Sequence, residues 1–394
     1  MTLFVLLVLL PALLNLGGLG WLLLGLTKLK AVAPPPTGQL SALPPATVIV
    51  AARNEARHLP ALLAALDAQT HPKLEILLVN DRSTDSTPEQ FAAFAAGRPQ
   101  CRVLHITETP AGWSPKKWAL QQAIVQATAP YVLFTDADCQ PPPDWAATLT
   151  QHLHQEGGVA VAGFSFPGRA PAAKLGPGGV AAYDSLYTAL QYGGAAGHGY
   201  PYMAVGRNWG VERATYLHLR PIEQVAEYLS GDDDLVFQQL RKAGRVLTLN
   251  SPAAQVPTQT PPTWSSLFRQ KIRHLSAGRA YPRSTLAALA VLPLLKVVSV
   301  LSALLYLVAG NANPMERLAA AFTAVTGLFV LRSVLLQLGS RHLFYPLSFY
   351  KLLIWEPAYM LYQSLFPFLA LLIAPKWKET PPNKRTVRRR TKRL

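Results

Sequence analysis

Two carboxylates one residue apart, Asp136 and Asp138, follow a short apolar run, Tyr131–Phe134, that is typical of a buried strand. Side chains at i and i+2 at the end of a strand point the same way, so both carboxylates can face one ion. Mg²⁺ and Mn²⁺ prefer such oxygen ligands and keep further positions open for phosphate. The stretch 140–145 (QPPPDW) then ends regular structure at the sheet edge where α/β proteins bind ligands. A lone D-x-D is more often a solvated turn, so the metal interpretation depends on the rest of the chain.

A second acidic run, residues 232–234, lies at the start of a predicted helix within 230–244 (SGDDDLVFQQLRKAG). Three acids at a helix start also fit a helix cap with favourable dipole partners. A basic stretch, 269–281 (RQKIRHLSAGRAY), leads directly into an apolar segment. Its side chains are candidates for phosphate contact or for ordinary residues beside a membrane.

Alternating strands and helices must position these groups. Strands are predicted at 47–51, 74–79, 102–106, Tyr131–Phe134 and 159–166, and helices at 57–69, 87–97 and 117–127, the second opened by a capping box at Thr87. This alternation predicts a mostly parallel sheet covered by helices. The polar loops 51–57 (AARNEAR) and 80–87 (NDRSTDST) should therefore reach the same sheet edge as TDAD. A further amphipathic helix at 180–192 could be core or lie on a bilayer surface.

Long apolar stretches lie at both ends of the chain, and half of all residues are apolar. Residues 1–26, followed by Lys28 and Lys30, predict an uncleaved anchor whose following segment is cytoplasmic. Three more stretches lie near 286–309, 318–338 and 352–374. The middle one contains Arg332 and the last contains Glu356 and two prolines, which weakens both as spans.

The formal charge of +16 is concentrated in the tail, where residues 376–394 hold nine Lys/Arg and one Glu, a net +8. Directly after an apolar segment, such a tail favours anionic lipid on the cytoplasmic side over nucleic acid. Four full spans would instead put the tail outside. We therefore predict that 352–374 is interfacial or re-entrant. The two cysteines show no pairing pattern, which suits a reducing compartment.

Six motifs then occur in a specific order: VIVAARNEARHLPALLAAL (48–66), NDRSTDST (80–87), TDADC (135–139), GRNWGVER (206–213), GDDDLVFQQL (231–240) and QKIRH (270–274). Over residues 46–281 the chain resembles a membrane-anchored family 2 glycosyltransferase of the GT-A fold. Among these, it looks closest to bacterial lipid- or carotenoid-directed transferases. The expected organisation is an anchor at 1–27, a Pro-rich linker at 28–45, the GT-A domain at 46–281, membrane helices at 282–375 and a basic cytoplasmic tail at 376–394.

The resemblance implies the roles of particular residues. Asp233 falls on the family's catalytic base, and Asp138 with Asp136 falls on its metal motif, which implies Mg²⁺ or Mn²⁺. The residues implied to bind substrate are Ala52, Arg53, Glu55, Asp81, Lys116, Asp136, Asn208, Asp232, Gln270, Arg273 and His274. Glu55 could instead cap its helix, and Lys116 could be a solvated lysine at a helix start.

The departures from the family pattern bear on the reaction. His274 stands where processive synthases have Trp, and the chain has few spans, which favours transfer of one sugar to one acceptor. One base without a second nucleophile indicates single displacement with inversion. The expected function is transfer from a nucleotide sugar, with UDP favoured over GDP, to a lipid-like hydroxyl at the cytoplasmic face of the inner membrane, without nucleic acid. The alternatives are a polysaccharide synthase, a nucleotidyltransferase, which AARNEAR disfavours because it lacks glycine, and an inactive scaffold.

Overall fold

The computed structural model describes residues 5–168, 176–309 and 311–373. The expectations for 169–175 and for the basic tail at 376–394 lie outside the described residues.

A seven-stranded sheet in the order β3-β2-β1-β4-β7-β5-β8 forms the centre of the fold. Its strands are β1 (Ala46–Ala52), β2 (Leu74–Asp81), β3 (Cys101–Ile106), β4 (Tyr131–Phe134), β5 (Ala160–Ala162), β7 (Trp209–Glu212) and β8 (Val246–Thr248). Two further strands, β6 (Ser165–Pro167) and β9 (Val256–Thr258), form a separate pair. Strands β3, β2, β1 and β4 are parallel, and β5 is parallel to β8. Strand β7 runs antiparallel between β4 and β5. The predicted mostly parallel α/β sheet is confirmed.

The helices are α1 (Leu10–Lys28), α2 (Leu59–Asp67), α3 (Thr87–Ala95), α4 (Pro115–Gln126), α5 (Trp145–Gln155), α6 (Pro177–Gly197), α7 (Arg213–Leu219), α8 (Asp234–Leu240), α9 (Trp264–Ser276), α10 (Arg283–Ala309), α11 (Pro314–His342) and α12 (Phe349–Leu372). Both faces of the sheet are covered, one by α2, α3 and α5 and the other by α4, α7 and α8. Because side chains alternate along a strand, Val48 and Val50 pack under α2, α3 and α5, while Ile49 packs under α4, α7 and α8. The central strands are therefore buried on both faces, as their continuous apolar runs predict.

Two local predictions are wrong. The single strand predicted at 159–166 is divided at Gly163, where the backbone hydrogen-bonds Asn208 and a Cβ would lie 2.5 Å from the Asn208 amide. Strand β5 stays in the main sheet and β6 pairs with β9. The capping box at Thr87 is also absent, because the Thr87 amide donates to Asp85 Oδ1 and its hydroxyl accepts the Glu55 amide.

Three helices are long and apolar enough to cross a membrane, among the residues that the structure describes: Leu7–Lys28, Arg283–Ala309 and Pro314–His342. Helix α6, which contains the predicted helix 180–192, packs closely on α1. A Cβ on Gly197 would lie 1.8 Å from the Gly25 carbonyl oxygen, so the two backbones nearly touch. The buried face of α6, including Tyr183 and Tyr187, is core of a helical layer beside the sheet domain.

Helix α12 is not among these candidate spans, and it packs on α9 and α6 as well as on the candidate spans α11 and α10. Near its middle, Tyr359 donates to Asp184 of α6 at 2.7 Å. Near its end, Phe366 stacks edge-on against Phe268 of α9, and the Ala370 carbonyl accepts from Arg279 at 2.8 Å. The helix is thus attached to α6 and to the α9 region along much of its length.

Candidate active site

The two polar loops that follow β1 and β2 are hydrogen-bonded to each other. The Asn54 side chain accepts the Thr84 amide at 2.7 Å, and the Asp85 carboxylate accepts the Ala56 amide at 3.0 Å. Burial alone would raise the pKa of Asp85, but hydrogen bonds from Thr87 and Ala56 lower it overall. Asn54 adopts a positive φ of 53° to make this contact possible. The predicted meeting of the two loops at one sheet edge is therefore present.

The predicted nucleotide-binding residues lie on these loops. Ala52 and Asp81 are the buried last residues of β1 and β2, and the Asp81 carboxylate accepts from Arg82 Nε at 2.8 Å. Glu55 pairs with His58 at 2.8 Å, so its carboxylate also has a local structural partner. Arg53 is adjacent, in the same loop. Their contacts with a nucleotide stay predictions.

The D-x-D carboxylates follow the end of β4 at the same edge. Burial, and then the neighbouring Asp136, raise the pKa of Asp138 above its usual value, while Arg207 opposes the shift. A buried carboxylate beside a second carboxylate gains from a cation, and this oxygen pair fits Mg²⁺ or Mn²⁺. Among the described residues there is no group of three or more His, Cys, Asp and Glu that could hold a metal. Burial keeps Cys139 a thiol by raising its pKa, as expected for a packed side chain.

Lys116 joins the two acidic motifs. From the first turn of α4, its ammonium lies 2.8 Å from Asp136 Oδ1 and 2.7 Å from Asp232 Oδ2. Burial alone would lower the pKa of Lys116, but these two carboxylates raise it, so the side chain stays charged. Asp136 and Asp232 are therefore held close together, because both form ion pairs with Lys116. The solvated alternative for Lys116 does not apply.

Asp233 lies at the start of α8, between two acidic residues that both have partners in the protein. Asp232 pairs with Lys116, while Asp234 accepts from the Tyr281 hydroxyl and the Leu235 amide. Asp233 occupies the N-cap position of α8 with Asp234 in the first turn, but its side chain makes no helix-capping hydrogen bond. Burial, and then Asp234 and Asp232, raise the pKa of Asp233 well above its usual value. A carboxylate with a raised pKa is a stronger base when ionised.

Positively charged residues of α9 and of the loop before β7 surround His274. The Arg273 guanidinium lies 3.2 Å from the His274 ring, and both residues are half-buried. Burial, and then the charges of Arg273, Lys271 and Arg207, lower the pKa of His274 well below its usual value, so its ring is neutral. Gln270 lies one turn earlier on the same helix. Such a concentration of positive charge suits a diphosphate.

Arg207 was missed by the motif analysis, and Lys117, the neighbour of Lys116, has a structural role. Arg207 carries its charge close to Asp138 and His274 and donates from Nε to Ser165 at 2.6 Å. Its position directly before Asn208 in GRNWGVER was a usable signal. Lys117 is 0% exposed and donates to the carbonyls of Val225 at 2.6 Å and Ser230 at 2.9 Å. It thereby fixes the segment that leads into the acidic run.

Asn208 does not have the substrate contact that was predicted. The residue is 0% exposed, its Nδ2 donates to the carbonyls of Phe164 and Ala254, and its Oδ1 accepts from the Trp145 indole. Both amide hydrogens and one lone pair of Oδ1 are used internally. Asn208 therefore positions the chain around β5 and β7 and has no surface left for an acceptor.

Comparisons with known proteins agree with this geometry. Residues 47–176 match the family described as "Glycosyl transferase family 2". The chain is 27% identical to Glycosyltransferase AglE of Haloferax volcanii over 139 residues, 34% of this chain and 44% of the relative. It is 35% identical to the uncharacterized glycosyltransferase YibD of Escherichia coli over 103 residues, 26% of this chain and 28% of the relative. The chain thus matches less than half the length of either relative.

A solved structure extends the likeness beyond the matched segment. The mannosyltransferase PcManGT of Pyrobaculum calidifontis, in complex with GDP-Man and Mn²⁺, aligns with a TM-score of 0.55 at 20% identity, over 85% of this chain and 98% of that chain. At this identity the likeness concerns the fold. The sheet domain has the GT-A fold, and its residues 47–176 match the family 2 glycosyltransferase model.

Proposed function

We propose that the protein is a metal-dependent, inverting glycosyltransferase that moves a sugar from a nucleotide sugar to a hydroxyl of a lipid-like acceptor. One observation carries this proposal: Lys116 joins Asp136 of the D-x-D motif to Asp232 of the acidic run. The motif proposed to bind the donor and the acidic run proposed to act on the acceptor are therefore next to each other. The family match is the independent support for a nucleotide-sugar donor.

The donor would lie along the carboxyl edge of β1, β2 and β4. Asp81, Ala52, Arg53 and Glu55 would hold the nucleoside. Asp138, with Asp136, would hold Mg²⁺ or Mn²⁺, which when bound neutralises charge that develops on the diphosphate. Arg207, Arg273, His274 and Gln270 would contact the diphosphate or the acceptor from the opposite side. UDP remains the expected nucleotide, and because PcManGT was solved with GDP-Man, GDP-sugars are tested beside UDP-sugars.

Asp233 would act as the general base. Its carboxylate takes the proton of the acceptor hydroxyl as that oxygen bonds to the anomeric carbon of the sugar. The bond from this carbon to the nucleoside diphosphate breaks in the same displacement, so the configuration inverts. Lys116 holds Asp232 beside the base and keeps the donor and acceptor halves in register.

The acceptor is proposed to be lipid-like because the acidic run is tied to the start of an apolar helix. Tyr281 donates its hydroxyl to Asp234, and α10, a candidate span, begins two residues later at Arg283. A hydroxyl on a membrane-dissolved molecule could reach Asp233 at this level. The same arrangement would obstruct a folded cytosolic protein.

We place the sheet domain on the cytoplasmic side of the inner membrane, where Lys28 and Lys30 follow the first apolar helix. Three spans with α12 attached to the sheet domain would leave the basic tail on that same side. This removes the conflict between four spans and a cytoplasmic tail. The contacts of α12 with α6 and α9, and those of its Glu356 with the candidate spans, support the interpretation of the last apolar segment as interfacial or re-entrant.

The test incubates the purified full chain with Mn²⁺ or Mg²⁺, radiolabelled UDP- or GDP-sugars and extracted membrane lipids, followed by phase separation. We expect label in the organic phase and an inverted anomeric configuration in the product. Label confined to a water-soluble polymer would instead indicate the polysaccharide synthase. Absence of both transfer and donor hydrolysis would contradict the enzyme itself.

A further inference from the structure

The helix that carries Gln270, Arg273 and His274 is held mainly by other helices. Helix α9 packs chiefly on α12 and also on α6, with few contacts to the strands. Its first turn is fixed by a capping box between Thr263 and Ser266. The position of Arg273 and His274 therefore depends on α6 and α12.

Asp184 of α6 is the buried residue that ties these three helices together. Its carboxylate accepts from Lys271 of α9 on one oxygen and from Tyr359 of α12, at 2.7 Å, on the other. The side chains of Asp184 and Lys271 are only 13% and 10% exposed. Lys271 is two residues before Arg273, so its anchoring sets the rotation and height of the motif.

The neighbouring residue of α6, Tyr183, joins a second polar cluster. Its hydroxyl donates to Glu356 of α12, which also accepts from Arg332 Nε at 3.1 Å and from Lys296 at 3.4 Å. Arg332 and Lys296 belong to the candidate spans α11 and α10, and Arg332 also donates to Asn15 of α1 at 2.5 Å. All three candidate spans thus converge on α12 and α6 through buried polar contacts.

Such a cluster is expensive within apolar helices. Taking these charges from water costs free energy that their pairing only partly offsets, and one lost partner leaves a buried charge uncompensated. Apolar packing alone could hold the helices together. The polar contacts, unlike apolar ones, also fix one rotation of each helix about its axis.

We propose that Asp184 is a positioning residue that transmits the arrangement of the membrane-type helices to α9, and so sets Arg273 and His274 against the donor diphosphate. This inference rests on the proposed function for its catalytic consequence. Its structural part, the anchoring of α9 by Asp184, does not depend on which reaction occurs. The alignment of the active-site residues on α9 then depends on the helical layer beside the sheet domain.

The experiment uses the full chain in nanodiscs. It compares Asp184→Asn, Lys271→Met, the double variant and a control, Asp67→Asn, which breaks an ion pair with Arg98 on the far side of the sheet domain. Hydrogen exchange of α9 is measured beside donor KM and kcat. In Asp184→Asn we expect faster exchange confined to α9 and its neighbours, and a donor KM raised about ten-fold with kcat changed less. The double variant should be no worse than either single one, because both remove the same contact.

Unchanged exchange in α9, or losses that multiply in the double variant, would overturn the proposal. A uniform loss of stability with unchanged KM would do the same, since that is what a purely structural ion pair gives. If Asp184→Asn does not fold, Tyr359→Phe removes only the second partner of Asp184, and α9 should exchange faster in it than in the control. If the wild type neither transfers nor hydrolyses any nucleotide sugar, the proposed function fails, while the exchange measurement still decides whether Asp184 anchors α9.

Discussion

The Lys116 ammonium lies 2.8 Å from Asp136 and 2.7 Å from Asp232, two carboxylates that are 96 positions apart in the chain (232 − 136). Lys116 is thus an electrostatic bridge between the loop that would hold a metal and the run that contains the proposed base. Partly buried ion pairs of this kind resist screening by salt better than exposed ones. The bridge also keeps Asp232 ionised, because the two nearby lysines lower the pKa of that carboxyl despite its burial.

Replacing Lys116 should therefore damage both halves of the site. In Lys116→Met we expect kcat to fall on the order of 10²-fold and donor KM to rise, because two carboxylates lose their shared cation. Lys116→Arg keeps the charge and should retain more activity than Lys116→Met. Steady-state kinetics over a range of donor and metal concentrations checks this. Equal kinetics for Lys116→Met and the exposed control Lys242→Met would contradict the role of the bridge.

Metal dependence is predicted from Asp138 and Asp136. EDTA should abolish transfer, and Mn²⁺ or Mg²⁺ should restore it, because the diphosphate leaving group needs a compensating charge. Asp138→Asn should remove activity while leaving the metal-free protein at least as stable as the wild type, since it replaces a carboxylate whose pKa burial already raises. Full activity in EDTA, with no metal detected in the protein by elemental analysis, would reject this prediction.

Asp233→Asn tests the base. The amide keeps the size of the carboxylate but cannot take a proton, so kcat should fall roughly 10²–10⁴-fold with donor affinity nearly unchanged. Donor affinity is measured by calorimetry and kcat by product formation. A wild-type rate in Asp233→Asn would mean that the acid has no part in proton transfer.

The same substitution should stabilise the metal-free protein at neutral pH. The folded-state pKa of Asp233 is raised, so below the ordinary value of about 4 both states hold the proton and the wild type and variant unfold alike. As pH rises through that value, the unfolded chain releases the proton first and the wild type loses stability relative to Asp233→Asn. The gap should widen until pH reaches the folded-state pKa. Thermal unfolding between pH 4.5 and 8 measures it, and a gap that narrows with pH would contradict the raised pKa.

Much of the sheet could be predicted because its signals are local. The runs around Val48 and Leu77 are continuous and apolar, as expected for strands covered on both faces, and the D-x-D loop after Phe134 follows from the same alternation. The break at Gly163 could not be predicted in this way. It depends on the amide of Asn208, 45 residues later (208 − 163), which occupies the space of a Cβ and accounts for the division of one apolar run into β5 and β6.

The candidate site was predicted in its residue types more than in its contacts. Asp136, Asp138 and Asp233 stand in recognisable motifs. Asn208 also stands in one, but its side chain supports the fold from inside the protein. Exposure separates these cases, and sequence spacing does not report it. The roles of Lys116 and Lys117 differ although the residues are adjacent, because successive helix positions point about 100° apart and only Lys116 faces both acidic motifs.

Lys117 should support the acidic run from behind. Lys117→Met leaves the carbonyls of Val225 and Ser230 without their donor, which should lower the free energy of unfolding by roughly 1–3 kcal/mol. Because these carbonyls lead into residues 232–234, kcat should fall as well. Burial lowers the pKa of Lys117 to about 8, but a neutral amine still donates, so both hydrogen bonds should persist at higher pH. Thermal unfolding and kinetics are compared with Lys242→Met, an exposed lysine that should change neither.

We predict the side of the membrane on which the basic tail lies from the position of α12. Arg279 holds the Ala370 carbonyl near the end of this helix, and Asp184 holds Tyr359 near its middle, so α12 is tied to helices that pack with the sheet domain. If α1, α10 and α11 span, the tail should lie on the same side as the sheet domain.

Arg390→Cys should therefore react with an impermeant maleimide as Lys242→Cys does, in inside-out vesicles and not in intact cells. Met315→Cys, at the exposed start of α11 between two candidate spans, should react with the opposite preference. The native thiols, Cys101 and Cys139, are buried and should stay unlabelled. A tail cysteine that follows Met315→Cys would mean that α12 crosses the bilayer, and its contacts with Asp184 and Arg279 would then have to break in the membrane-bound protein.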